Sequence, residues 1–161
     1  MSFRTKSSDR FGSHRVLSPL GVLPQQAETL DPSLPIWEDE ILIEVESLNI
    51  DSASFHQIRE FCGSDEAKMA SHILNLVSHR GKMHNPVTGS GGMLIGSVKE
   101  IGPKFLHGKH QSERISVGDR IATLVSLTLT PLIIKKIRKI HLGLDRVDIE
   151  GFAVLFKSGI Y

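Results

Sequence analysis

The alternation of apolar and polar positions is clearest between Glu38 and Leu48, EDEILIEVESL, where Ile41, Ile43 and Val45 share one face and Glu44 and Glu46 the other. A period of two marks a strand with one buried face. The pattern then changes. Phe55, Ile58 and Phe61 recur every three residues behind Asn49-Ile50-Asp51-Ser52, which predicts a short helix over about 52–61 capped by Asp51 or Ser52. Cys62-Gly63-Ser64 breaks it. Ser64 or Asp65 then caps a longer helix, over about 65–80, whose Met69, Ile73, Leu76 and Val77 fall on one side and which stops at Gly81. Asp65 and Glu66 at its start and Arg80 at its end suit the helix dipole.

On either side of this central block the text reads as strands and turns. Residues 1–10 are polar and are expected to be frayed or disordered. From Gly12 to Leu30, GSHRVLSPLGVLPQQAETL, Pro19 and Pro24 exclude a long helix, leaving a short strand near Arg15–Leu17, extended coil after it, and a turn at Asp31–Pro35. After a loop at His84-Asn85-Pro86, the glycine-rich Gly89–Gly102, GSGGMLIGSVKEIG, turns into an apolar strand. A polar loop, Lys104–Ser116, leads to Gly118-Asp119-Arg120 and a strand over Arg120–Leu129, which Pro131 interrupts. Ile133–His141 reads as a basic strand, and Val147–Ile149 and Phe152–Phe156 as two further short pieces. Strands throughout, with helices confined to the middle and no internal repeat, predict a mainly β, partly open barrel.

Composition narrows the setting. The 161 residues suit one domain with a sizeable core, and 40% hydrophobic with 23% charged residues is ordinary for a globular chain. A net charge of +1 argues against a dedicated nucleic-acid surface. The single cysteine, Cys62, excludes an internal disulfide and suits a reducing compartment. No apolar run approaches the roughly 20 residues of a membrane span, and MSFRTKSSDR does not read as a signal peptide. The expected setting is cytoplasmic, without a nucleic-acid or membrane partner.

The glycines of the 89–102 stretch lead into a strand, and neither their spacing nor that context fits a dinucleotide fingerprint, which opens a helix. Turn or close-packing glycines are the better reading. Of eight histidines, none forms an HExxH or a Cys/His pair at ligand spacing. His107 and His110 fall in the polar loop, and His72 and His79 on the longer helix, where a surface position is the default. His56, just after the 49–54 turn, is kept as an acid, base or cofactor contact. Cys62 has no activating neighbour in sequence and reads as buried and inert. Lys135-Lys136-Ile137-Arg138-Lys139 reads as a solvated strand face, with an anionic partner as the minor alternative.

EILIEVESLNIDSASFH, then LIGSVKEIGP, then SVGDRIATL together resemble the N-terminal, chaperonin-10-like (GroES-like) domain of the medium-chain dehydrogenase/reductase family. Within that family, GSHRVLSPLGVLPQ, NIDSASF and NPVTGSGGMLIG are similar to its diaminohexanoate-deaminating branch. The resemblance implies oxidative deamination of 3,5-diaminohexanoate in lysine fermentation, with NAD accepting hydride and water releasing ammonia. It also places the family's zinc-binding cysteine at Asp51, its hydroxyl relay residue at Ala53, its relay histidine at His56 and its His-Glu pair at Gly92-Met93. Glycine offers no side-chain ligand, so no catalytic zinc is expected.

An amine substrate instead needs its ammonium neutralised and a base of suitable pKa. Asp51 is expected to face the ammonium and His56 to relay a proton, with Ser52, Ser54, Thr88 and Ser90 lining a substrate pocket. The family's coenzyme domain has no counterpart here, so this chain alone is expected to be inactive, to need a coenzyme-binding domain or second chain, and to self-associate through an uncovered apolar face. Two alternatives stand beside this reading: a non-catalytic chaperonin-10-like assembly module and a zinc alcohol dehydrogenase fragment.

Overall fold

The computed structural model describes residues 2–5, 8–105 and 115–158. His107 and His110, with most of the loop expected over 104–116, lie outside the described residues. The elements run β1 (Val16–Ser18), β2 (Thr29–Leu30), β3 (Ile41–Ile50), α1 (Ser52–Phe61), α2 (Glu66–Arg80), β4 (Gly92–Ile101), β5 (Arg120–Ala122), β6 (Leu132–His141) and β7 (Arg146–Leu155). β1 and β2 form a small ladder of their own; the main sheet has the order β5-β4-β3-β7-β6 and is antiparallel throughout. It is open, so the fold is mainly β with two helices and agrees with a partly open barrel. No described helix is long and apolar enough to cross a membrane.

β3 is the shared strand, pairing along its length with β4 on one side and β7 on the other. Both ladders skip Glu46, a bulge between Val45 and Ser47, and Val45 stands opposite Gly96 on β4 and Gly151 on β7. A Cβ on Gly96 would meet the Glu44 carbonyl oxygen at 2.4 Å, and one on Gly151 the Ile133 carbonyl oxygen at 2.1 Å. Glycine opposite a bulge lets the sheet coil tightly at this level. One face of the coiled sheet, with Ile41, Ile43, Val45, Leu48 and Ile50, buries Phe55 and Ile58 of α1 and Met69, Ile73 and Val77 of α2. A smaller cluster of Ile36, Leu42, Val154 and Phe156 forms on the other face.

The helix ends follow their predicted chemistry. Asp51 Oδ1 accepts from Ala53 N at 3.1 Å, Asp65 Oδ1 accepts from Lys68 N at 3.1 Å, and α2 closes at Gly81, whose φ is 66°. Three expectations need correction. β5 stops at Ala122, not Leu129, because Thr123 binds Leu94 with both its backbone N–H and its side-chain oxygen, after which residues 127–129 form a 3-10 turn. Val147–Ile149 and Phe152–Phe156 are one strand, since Glu150 and Gly151 continue the ladder to β6. Phe61, expected on the apolar stripe of α1, is 71% exposed and leans instead on His72, ring centroids 5.2 Å apart.

An arm over residues 10–37 wraps the sheet and is fastened by a buried ion pair. Arg15 Nη2 lies 2.6 Å from Glu40 Oε2 and Arg15 Nε 2.9 Å from Oε1, with both side chains all but inaccessible. His14 Nε2 and Trp37 N complete the carboxylate's partners at 2.7 and 2.8 Å, and Arg15 Nη1 donates to the carbonyls of Asp31 and Ser33. Burial alone would raise the Glu40 carboxyl; Arg15 and His14 overcome it and hold it below the ordinary value. Within the stretch expected to be frayed, Arg4 bridges to Trp37 and pairs with Asp31 at 2.9 Å. Glu40→Ala leaves a buried guanidinium without its counter-charge and should cost about 3–5 kcal/mol in urea unfolding, whereas Arg15→Met with Glu40→Leu should recover most of that loss.

Candidate functional site

Asp51 closes β3 and opens α1, so its position is set by a strand on one side and a helix cap on the other. The start of β4 is pressed against this junction. A Cβ on Gly92, whose φ is 126°, would meet the Asn49 carbonyl oxygen at 2.0 Å, and the Gly91 carbonyl accepts from Asp51 N at 3.0 Å. Gly92 thus sits where no side chain fits. The 85–90 loop, closed by Asn85 N to Ser90 O at 2.9 Å and Gly89 N to Asn85 O at 2.8 Å, is thereby laid against the first turn of α1.

Four of the predicted site residues meet there. Ser54 is buried, and its Oγ lies 2.6 Å from Thr88 Oγ1 and 2.6 Å from Ser90 Oγ; Thr88 and Ser90 are 3.1 Å apart. Ser90 Oγ donates to Asp51 Oδ1 at 3.0 Å. A carboxylate offers only acceptors. The Ser90 proton therefore goes to Asp51, and Ser90 in turn accepts from Ser54 or Thr88. The result is a short run of hydroxyls polarised toward one exposed carboxylate, of which Oδ1 is engaged and Oδ2 takes no bond among the described residues.

The other two residues go elsewhere. Ser52 Oγ donates to Asp145 Oδ2 at 2.7 Å, tying α1 to the turn between β6 and β7. His56 sits on the exposed side of α1 and pairs with Glu60 at 3.1 Å and Arg59 at 3.2 Å; among the described residues it makes no bond to Asp51 or the hydroxyls. Sequence reasoning missed Asp145, Asn85 and Gln57. Asn85 is buried, donates to Gln57 Oε1 at 2.9 Å and accepts from Val87 N at 2.9 Å, which shapes the loop carrying Thr88 and Ser90. The Asn85-Pro86 dipeptide is the turn signal that marks it.

Behind this loop lies a basic patch. Lys82 is fully buried and donates to the Pro24 and Gln25 carbonyls at 2.8 and 3.3 Å; burial, then Arg80, lower it to about 8. Burial, then Lys82 and Arg80, lower His84 to about 4, and among the described residues its Nδ1 is buried without a partner. Cys62 is buried, and that burial pushes its thiol up. Among the described residues no group of three or more His, Cys, Asp or Glu side chains converges as metal ligands would.

An open trough of about 710 Å³ lies apart from this site on the other face of the sheet. Its charges already neutralise one another, with Arg120–Glu46 and Arg138–Glu150 both at 2.9 Å and Arg146–Asp148 at 3.1 Å. The first two pairs join different strands and the third lies along β7; ion pairs of this kind belong to a solvated sheet face. Lys135, Lys136, Arg138 and Lys139 are exposed, as the basic run suggested.

The structure thus places a hydrogen-bonded cluster of hydroxyls and one exposed carboxylate at a strand–helix junction, and comparison with known proteins gives the family. The family profile described as L-erythro-3,5-diaminohexanoate dehydrogenase N-terminal domain matches residues 14–161, and the chain belongs to that family. It is 55% identical over 152 residues to the L-erythro-3,5-diaminohexanoate dehydrogenase of Acetoanaerobium sticklandii, covering 94% of this chain and 43% of that protein. It is 54% identical over 156 residues to the protein of that name from Fusobacterium nucleatum, covering 97% and 44%. The chain thus spans less than half the length of these relatives, which by name are dehydrogenases.

The low His84 value carries a pH signature. Above pH 6.5 the imidazole is neutral whether the chain is folded or not; below it the unfolded chain takes up a proton that the folded chain refuses until about pH 4. Stability should therefore fall as pH drops from 6.5 toward 4, and His84→Gln should shrink the difference between urea midpoints measured at pH 7 and pH 4.5.

Proposed function

We propose that this chain is the substrate-binding portion of an NAD-dependent oxidoreductase that oxidatively deaminates 3,5-diaminohexanoate, a reaction of cytoplasmic lysine fermentation. The observation that carries the reading is the 54–55% identity to two dehydrogenases of that name over nearly the whole chain. The geometry at Asp51 supports this reading. Asp51 faces solvent with one oxygen available, as a counter-ion for a substrate ammonium should be. Thr88 and Ser90 stand beside it as hydroxyl partners that orient the amine, while buried Ser54 holds both in place. His56, turned away in this domain, enters the reading only as a relay to solvent.

The residues described here do not fit a dinucleotide's phosphates. Gly92 opens a strand, not a helix, and a Cβ on Gly91 would meet the Met83 carbonyl oxygen at 2.5 Å, so these glycines serve backbone packing. NAD is accordingly assigned to the remainder of the longer relatives' chain, and zinc has no part in this reading. A non-catalytic assembly role is the less favoured reading, since it gives the Asp51–Ser90–Ser54–Thr88 cluster nothing to do.

The test joins this chain to the remainder of the Fusobacterium relative and follows NADH formation with 3,5-diaminohexanoate. No NADH from a folded fusion discards the assignment. Asp51→Asn should lower kcat/KM by roughly 10- to 100-fold, the worth of a charge-assisted hydrogen bond. Because Asn caps a helix as well as Asp, Tm should be unchanged; unchanged kinetics would remove Asp51 from the site.

A further inference from the structure

The arm presents its apolar residues outward. Phe11, Leu17, Leu20, Leu23 and Leu34 are between 41 and 80% exposed, in a segment that is nonetheless firmly held. The Arg15–Glu40 pair anchors it, Asp31 N donates to the Arg15 carbonyl at 2.7 Å, and Gly12 lies so close to the Phe156 ring that a Cβ there would overlap it at 2.2 Å. Between the arm and the end of β7 lies a groove of about 150 Å³, lined by Phe11, Leu23, Pro24, Leu129, Leu155 and Phe156. None of its described lining residues is charged, in contrast to the trough on the sheet. A rigid, concave, uncharged surface of this kind is one that another element covers.

We propose that this groove seats an apolar segment of the polypeptide that follows the N-terminal domain in the longer relatives. The inference rests on the reading that this chain works together with that remainder. Three observations select this occupant. The relatives extend well beyond the matched region, of which this chain covers 43–44% of their length, and the matching family is an N-terminal domain, so the remainder follows it. Phe156 and Ser158, directly after β7, line the groove, so polypeptide continuing past the described residues starts out beside it. A tethered segment arrives at millimolar effective concentration and needs only a small contact to stay. A second copy of this chain needs more, because a stable interface buries about 1,200–2,000 Å², and a groove of about 150 Å³ admits only a few side chains.

The experiment compares amide hydrogen exchange in the isolated chain and in its fusion to the remainder of the Fusobacterium relative. Exchange over residues 20–26 and 155–158 should slow at least about tenfold in the fusion. Leu23→Asp should abolish that slowing, and Phe61→Asp, on a still more exposed apolar residue at the end of α1, should leave it intact. Leu23 is half exposed and so tolerates substitution; Leu23→Ala, expected to reduce the slowing, serves as a second variant if the aspartate disturbs folding. Equal exchange in the two proteins overturns the proposal, as does slowing in the isolated chain that grows with concentration, which assigns the groove to a second copy. The two readings fail separately: NADH formation with no protection of the groove sinks this inference alone, and protection without NADH sinks the functional assignment alone.

Discussion

The closeness of β4 to the end of β3 at Gly92 decides where everything in the candidate site stands. A backbone carbonyl occupies the space a side chain would need, so the two strands meet at Asn49 and Gly92 with no room for adjustment. From that fixed point the Gly91 carbonyl reaches Asp51 N, and the 85–90 loop falls across the first turn of α1. The contacts of Ser54 with Thr88 and Ser90 follow from backbone geometry before any side-chain chemistry is considered. The same contact explains why this position is glycine without reference to any ligand.

Two carboxylates show how the fold separates holding from binding. Glu40 is buried with both oxygens committed, to Arg15, His14 and Trp37 N, and nothing is left for a ligand. The desolvation of such a pair consumes most of its attraction, so its service is to place the arm in one position rather than to add net stability. Asp51 is the opposite case: exposed, with one oxygen spent on the helix cap and Ser90, and the other unclaimed. Glu44, Glu46, Asp148 and Glu150 form a third class, exposed or half-buried but answered on the sheet face by Lys99, Arg120, Arg138, Arg146 and His141. Among the carboxylates at the strand–helix junction, that leaves Asp51 as the one flanked by polarised hydroxyls.

Local signals in the sequence carried the elements well and their partnerships poorly. The period of two over β3 and the caps Asp51, Asp65 and Gly81 are properties of neighbours in the chain, and those boundaries match within a few residues. The Arg15–Glu40 pair joins residues 25 apart, and nothing in either local text marks it. β5 ends early because the Thr123 side chain takes over a ladder bond, a substitution no propensity foresees. The joining of the two pieces of β7 depends on Gly151 lying against Val45 and Ile134, which only the sheet reveals. In the candidate site, Asp51, Ser54, Thr88 and Ser90 meet through hydrogen bonds, but a helix turn of about 100° per residue sends Ser52 toward Asp145 and His56 toward Glu60.

Exposure sets the last constraint on what the cluster does in this domain. Two unit charges 4 Å apart attract by about 1 kcal/mol in water and about 4 kcal/mol at the effective dielectric of a partly covered site. Asp51 and Thr88 are exposed here, so an ammonium held by Asp51 alone gains close to the lower figure, little more than solvent offers. Selection of an amine, and orientation of its carbon for reaction, need the higher one. The difference comes from excluding water, which a surface laid over the β3–α1 junction does and further hydroxyls do not. On the proposed reading the domain supplies the polar half of a site, and selectivity for an amine would come with a second, drier surface over it.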